Sequence, residues 1–225
     1  MNYRFRYFLI IGALVLVTLA CSLMPGDSTP NPPAADGGNS SDSVLFQDDF
    51  SSTGSGWDRI DNEDGITDYA DGGYRIFVPT ADTELWANPG LDFGDVRIEV
   101  DALRQAGPED NDFGVICRYQ DVDNFYYLLV TSDGYFGIFK VKDGEASLLG
   151  GSESMGTSSK INAGSETNHL RADCVGSTLT LYANGQKLDS QEDSDFATGD
   201  VGLIAGTYTE AGTDIWFDNF TVLVP

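Results

Sequence analysis

The sequence predicts an all-β protein, one antiparallel sandwich, and three features carry that prediction. The composition is rich in turn formers and in rings, with 26 Gly, 13 Phe and 10 Tyr among 225 residues. Short runs of Val, Ile, Thr and aromatic residues recur between clusters of Gly, Asn and Asp, which suits strands and leaves no long helical period. Finally, Asp133-Gly134, Asp143-Gly144 and Asn184-Gly185 each stand between two apolar runs, where they supply the positive φ of a tight hairpin turn. Successive hairpins make antiparallel sheets.

The chain opens differently. Arg4 and Arg6 precede an apolar run from Phe8 to Ala20, the layout of a secretory leader at residues 1–20. The run is short of the roughly 20 residues that span a bilayer core, so the reading is a cleaved signal and not a permanent helix. Ala20 directly before Cys21 resembles the lipobox of bacterial lipoproteins, with Thr18 where Leu is usual. That resemblance implies cleavage before Cys21, lipidation of its thiol and a protein held at the extracytoplasmic face of the cell envelope, since two acyl chains anchor firmly. Residues 21–43 follow as a tether. Pro25, Pro30, Pro32 and Pro33 with Gly26, Gly37 and Gly38 give a segment too poor in apolar residues to bury a core and stiff enough to extend.

Residues 44–225 then form one domain, of ordinary size for a sandwich. The predicted strands are 44–50, 73–78, 84–87, 95–103, 113–119, 125–131, 135–141, 169–174, 178–183, 201–206 and 214–224. In the fifth, Phe113, Val115, Cys117 and Tyr119 share one parity and Ile116 and Arg118 the other, which sends Cys117 into the core and Arg118 to the opposite face. Leu170, Ala172 and Cys174 share the apolar parity of the eighth. Two inward cysteines in an exported chain suit a disulfide, Cys117 to Cys174, with two buried free thiols as the alternative. In the last strand the alternation of Ile215 and Phe217 resumes at Phe220 and Val222, which requires one extra residue near Asp218-Asn219, a β-bulge.

The charge is −24, from 36 acids against 12 Lys and Arg, and such a surface repels nucleic acid phosphates. Anionic lipid repels it too, so membrane contact is expected through the lipid anchor only. A single histidine, His169, excludes a multi-His zinc site and leaves carboxylates as the main candidates for chemistry.

Four stretches together resemble a known superfamily. They are Phe46-Gln47-Asp48-Asp49-Phe50-Ser51 with Gly56-Trp57, the run from Gly114 to Asp121 with Asn124-Phe125-Tyr126-Tyr127, Leu181-Tyr182-Ala183-Asn184-Gly185, and Gly199-Asp200-Val201-Gly202-Leu203 with Phe217-Asp218-Asn219-Phe220. In this order they resemble the concanavalin A-like, laminin-G-like jelly rolls of bacterial secreted lipoproteins, relatives of 3-keto-disaccharide hydrolase-type domains. The resemblance spans residues 44–225 and implies two stacked antiparallel sheets, one of them concave. Such folds host lectins, glucanases and adhesion domains alike, so the fold does not choose among them.

Laminarinase-type glucanases of this superfamily carry Glu-x-Asp-x-x-Glu on one strand. Here Glu99 and Asp101 match, but Arg104 stands where the acid/base Glu belongs, and a guanidinium cannot protonate a leaving oxygen. The expected role is therefore non-catalytic binding of a glycan or an envelope protein, with a glycoside-active hydrolase or a purely structural envelope domain as the rival readings. Glycan binding needs flat rings and planar polar groups. Trp57, Trp86, Tyr126 and Tyr135 with Arg118 are the candidate ligand residues, Trp216 being a further large ring; core packing is the alternative for each ring. Structural calcium is the one cofactor the oxygen-rich surface would suit. Asp48 or Asp49 with Asp218, on first and last strands that jelly rolls place side by side, are its candidate ligands, and the acid-rich segment of Asp58, Asp61, Asn62, Glu63, Asp64 and Asp68 is a second place for it.

Overall fold

The computed structural model describes residues 43–225, and the regular elements among the described residues are all strands. The leader, Cys21 and all of the tether except its last residue lie outside the described residues. In chain order the strands are β1 (Val44–Asp48), β2 (Ile60–Asn62), β3 (Gly65–Ala70), β4 (Gly73–Val78), β5 (Thr83–Ala87), β6 (Val96–Ala106), β7 (Asn111–Asp121) and β8 (Asn124–Val130). They continue with β9 (Tyr135–Lys142), β10 (Glu145–Leu148), β11 (Gly156–Thr157), β12 (Asn168–Val175), β13 (Thr178–Ala183), β14 (Gln186–Glu192), β15 (Asp200–Thr207) and β16 (Thr213–Leu223).

Two antiparallel sheets result. One runs β14-β13-β12-β6-β16-β4-β3-β2, with β1 also on β16; the other runs β10-β9-β8-β7-β15-β5, with β11 also on β9. All eleven predicted strands are present. The five that alternation does not reveal, β2, β3, β10, β11 and β14, are short or lie at sheet margins, where one face and one edge meet water and the apolar period fades. The acid-rich segment is mostly the β2–β3 hairpin.

Strand β16 shows how a local irregularity serves the whole. One of its edges follows β6, while the other pairs first with β4 through Thr213–Phe217 and then with β1 through Phe220–Leu223. The changeover falls at the expected bulge. Register shifts between Asp218 and Thr221, and Asn219 takes a φ of 55°.

The core fills the space between the sheets. Ile98, Val100 and Ala102 of β6, Leu170 and Ala172 of β12 and Ile215 and Phe217 of β16 pack in one cluster with Phe113 and Val115 of β7, Tyr126 and Leu128 of β8 and Leu203 of β15. Their alternate neighbours point outward. On the first sheet these are charges, Arg97, Glu99 and Asp101 of β6 beside Arg171 and Asp173 of β12. The Cys117–Cys174 disulfide joins β7 to β12, with a Cα–Cα distance of 6.8 Å, and so ties the two sheets together through their shared core. Both half-cystines are completely buried.

An aromatic plug closes one end of this core. Trp57 packs against Phe220 edge-on at 4.9 Å, and against Tyr74 and Phe50 at 5.3 and 5.4 Å. Asp48 anchors it by accepting hydrogen bonds from Trp57 Nε1 at 3.0 Å, from the Phe50 amide at 2.8 Å and from Ser55 Oγ.

Candidate functional site

The outer face of the second sheet differs from that of the first in chemistry. It carries a second apolar cluster, separate from the core, of Ile116, Phe125, Tyr127, Leu129, Val141 and Ile204, with the half-buried Trp86, Tyr119, Phe139 and Met155 packed against it. Strand alternation puts them there, because β5 (Trp86), β15 (Ile204), β7 (Ile116), β8 (Phe125, Tyr127) and β9 (Phe139) each present one parity outward. The rings form a connected series. Trp86 and Tyr119 lie 5.6 and 5.4 Å from Phe125, Phe125 lies 5.8 Å from Tyr127, and Tyr127 stacks on Phe139 at 4.9 Å with 11° between planes.

Two clefts open on this face. The larger, about 430 Å³, is lined by Trp86, Tyr119, Val122, Ile60 and Leu85 with Asp58, Arg59 and Glu84 as its charged groups. Arg59 is committed to Asp68, Nε to Oδ1 at 2.6 Å and the second nitrogen to Oδ2 at 3.2 Å, which leaves the cleft's own potential negative. The smaller, about 300 Å³, is lined by Tyr135, Tyr208, Met155, Thr131, Asp110 and Asp133.

Glu84, on the wall of the larger cleft, belongs to an acid pair. Glu84 of β5, Gly206 of β15 and Asp112 of β7 are register neighbours in one row across three strands. Burial, and then the neighbouring charge of Glu84, push the Asp112 carboxyl up to about 8, while the Tyr208 hydroxyl opposes the shift. Burial raises Glu84 as well. Burial also raises the Tyr127 and Tyr208 hydroxyls, so both stay protonated and uncharged.

The structure sorts the expected ligand residues. Trp86 and Tyr135 stand on this outer face, one in each cleft. Trp57 does not: it is 3 % exposed in the aromatic plug, with its indole N–H spent on Asp48. Tyr126 is completely buried in the main core, because its parity on β8 is that of Leu128 and opposite to that of Tyr127. Its hydroxyl donates to Asp193 and accepts from the Phe196 amide, and burial holds it up at about 12. Arg118 is 1 % exposed, donating to the Phe196 carbonyl at 2.9 Å and to Asp95 Oδ1 at 3.2 Å. All three side chains are packed inside the sandwich. Trp216 lies on the outer face of the first sheet, over Gly73, where a Cβ would meet its indole nitrogen at 1.8 Å.

The expected metal ligands each make local hydrogen bonds. Asp49 Oδ1 accepts from Ser51 N and Oγ at 3.0 and 2.6 Å, and Asp218 Oδ1 accepts from the Asn219 amide at 2.7 Å. A shallow hollow beside Asp49 is lined by Gln47, Asp48, Asn219, Phe220 and Thr221, without Asp218. β1 and β16 do pair, and the Asp49 and Asp218 carboxyls make separate local bonds. Among the described residues no three His, Cys, Asp or Glu side chains converge as a metal site. Glu99 and Asp101 face away from the aromatic sheet; Asp101 meets His169 Nδ1 at 2.8 Å and Asn219 Nδ2 at 3.0 Å. Arg104 binds the carbonyls of Gly164 and Gly107.

Sequence reasoning missed Tyr119, Glu84 and Asp112. A bulge moves the first to the outer face, and the other two show their meaning only when β15 aligns them.

Neither a protein-family model nor a curated protein matches the chain. Among solved structures it is similar to the carbohydrate-binding module CBM66 from Bacillus subtilis, with a TM-score of 0.60 at 20% identity over 75% of this chain and 96% of that one. It is also similar to a Bacillus subtilis protein of unknown function with a galectin-like fold (TM-score 0.58, 11% identity, 80% and 96% covered) and to a Bacillus licheniformis β-glucanase (0.57, 11%, 79% and 97%). At these identities the likeness establishes the fold, a jelly-roll sandwich, and nothing finer.

Proposed function

We propose that the protein is an envelope lipoprotein, anchored through Cys21 at the extracytoplasmic face, whose sandwich binds glycan without catalysis in the Trp86–Tyr119 cleft. The observation that carries this reading is two half-buried rings, backed by a shared third, with the Asp58 and Glu84 carboxylates on the same walls. A sugar offers an apolar C–H face and a rim of hydroxyl donors, and rings with carboxylate acceptors complement both. That one fold neighbour is a carbohydrate-binding module supports the reading by analogy. The tether would carry the acidic sandwich clear of the membrane.

The deciding experiment is thermal melting of the protein across soluble polysaccharides, with calcium and EDTA arms. A ligand that prefers the native state raises the midpoint, so a glycan-dependent rise supports the module, and a flat response to every glycan moves the function to an envelope protein partner. The anchor is tested separately by labelling cells with an alkyne fatty acid. Wild type takes up label, and Cys21→Ser does not; equal labelling of both removes the lipoprotein reading.

A further inference from the structure

We infer that the Glu84 end of the Trp86–Tyr119 cleft is a site for a protonated amine, carried on a hexosamine residue of the bound glycan. This rests on the glycan reading above and names the sugar class it would take.

The acid pair is built in a way that a solvated acidic surface is not. Gly206 lies between Glu84 and Asp112, and a Cβ there would stand 2.7 and 2.8 Å from the two Asp112 oxygens and 2.9 Å from Glu84 Cγ. The two side chains therefore meet over a bare glycine. Asp112 is 1 % exposed, and its Oδ1 has no hydrogen-bond partner. A buried carboxyl oxygen left without a donor is costly, and such groups are paired in most folds. Among the described residues, no Lys, Arg or His forms an ion pair with Glu84 or Asp112, although Arg59, Arg75, Lys140 and Arg171 each engage an acid elsewhere. The site thus has acceptors in excess, and the cation on its wall, Arg59, is engaged by Asp68.

The chemistry of the surroundings selects the cation. The ionisable groups around the pair are Tyr127 and Tyr208, both of which remain neutral, with Asp58 and the Asp68-paired Arg59 on the cleft wall beside Glu84. Burial and the neighbouring Glu84 raise Asp112 to about 8, and burial raises Glu84, so a cation beside the pair would offset the cost of ionising it. Calcium takes six to eight oxygens, whereas two carboxyls stand here. Trp86 follows Glu84 by two residues on the same face of β5, so a cation at Glu84 lies beside an indole, a combination that favours an alkylammonium over a hydrated metal ion. Uronate, sialate or sulfate groups meet the carboxyls of Asp58 and Glu84 here, and the cation on the wall, Arg59, is already paired with Asp68. A 2-amino sugar stacked on Trp86 and Tyr119 brings its ammonium to Glu84.

The test compares a fully deacetylated glucosamine trisaccharide with its N-acetylated counterpart, titrated into the full chain at roughly physiological salt so that long-range attraction to the acidic surface is screened. The expected result is about tenfold tighter binding of the free amine. Glu84→Gln is expected to abolish that preference, read as the ratio of the two affinities, and Asp112→Asn, which preserves shape, serves as the second variant. Equal affinity for the two sugars, or a preference that survives both substitutions, overturns the inference and leaves the glycan reading standing. If neither sugar nor any polysaccharide binds, both fall. Release of reducing ends from either sugar, or a calcium-dependent rise in melting temperature that Glu84→Gln removes, also overturns it, by making the pair catalytic or metal-binding.

Discussion

Trp86 and Tyr119, from strands on either side of β15, pack against the same ring, that of Phe125, at centroid distances of 5.6 and 5.4 Å and nearly equal tilts of 43° and 42°. Phe125 is buried and its two neighbours are not fully so, which makes a fixed backing for two accessible rings. Ligand rings bind best to faces whose rotamers are already set, since ordering a side chain costs affinity.

Trp86→Ala and Tyr119→Ala are therefore expected to weaken glycan binding by roughly tenfold each, with little change in the denaturation midpoint. Phe125→Leu should weaken it too, without touching the sugar. Titration calorimetry on the three variants checks this. Unchanged affinity in Trp86→Ala and Tyr119→Ala would place the ligand elsewhere on the molecule.

Most of the fold is legible in the sequence, because two-faced burial writes a period of two into every central strand. The site is less so, and one bulge explains much of the difference. Along β7 the alternation of Phe113, Val115 and Cys117 extrapolates to Tyr119 inward and Arg118 outward. In the structure Arg118 takes a φ of 54°, the pairing with β8 shifts between Cys117 and Asp121, and the two residues exchange roles. No local signal marks that position, since Arg is not a residue that the left-handed region favours. Asp218-Asn219 could be read, because apolar residues on both sides fix the phase and Asn tolerates positive φ. Glu84 and Asp112 are a different case. They are 28 positions apart, and only the intervening β15 brings them into one row.

The exchange at Arg118 has an energetic consequence. Its guanidinium ties Asp95 and the Phe196 carbonyl at the edge of the sandwich, and hydrogen bonds to a charged group are worth about 1.5–3 kcal/mol each. Arg118→Met should lower stability by roughly 3 kcal/mol while leaving glycan affinity unchanged in the folded fraction. Urea unfolding beside a binding titration separates the two quantities. A loss of affinity with full stability would return Arg118 to the binding site.

The Cys117–Cys174 disulfide cross-links the two sheets. It closes a loop of 57 residues, for which restriction of the unfolded chain gives about 4 kcal/mol. Cys117→Ser with Cys174→Ser, or reduction under denaturant, should lower stability by an amount of that order. Because both sulfurs are buried, the native protein should resist reductants that act readily once it is unfolded. Mass analysis after alkylation of the unreduced, denatured chain is expected to show no label at either position, and two labelled thiols would refute the link.

The acid pair sets how stability depends on pH. In the unfolded chain Asp112 titrates at the ordinary carboxyl value, about 3.9. In the fold it keeps its proton up to about 8. Between those values the native state binds the extra proton, so stability falls as pH rises through the window and levels off above it. Glu84, also raised by burial, acts in the same direction. Groups held below the ordinary range, among them Asp195 at Lys140 and Lys142 and Asp68 at Arg59, act in the opposite sense, with losses that begin only as pH falls below about 5. Denaturant midpoints should therefore be higher near pH 5.5 than near pH 9, by an amount of the order of the pair's desolvation penalty. Asp112→Asn, neutral at every pH and of the same shape, should flatten most of that slope and raise the midpoint on the alkaline side. A slope that survives the substitution would assign the proton to another group and leave Asp112 ionised in its place over Gly206.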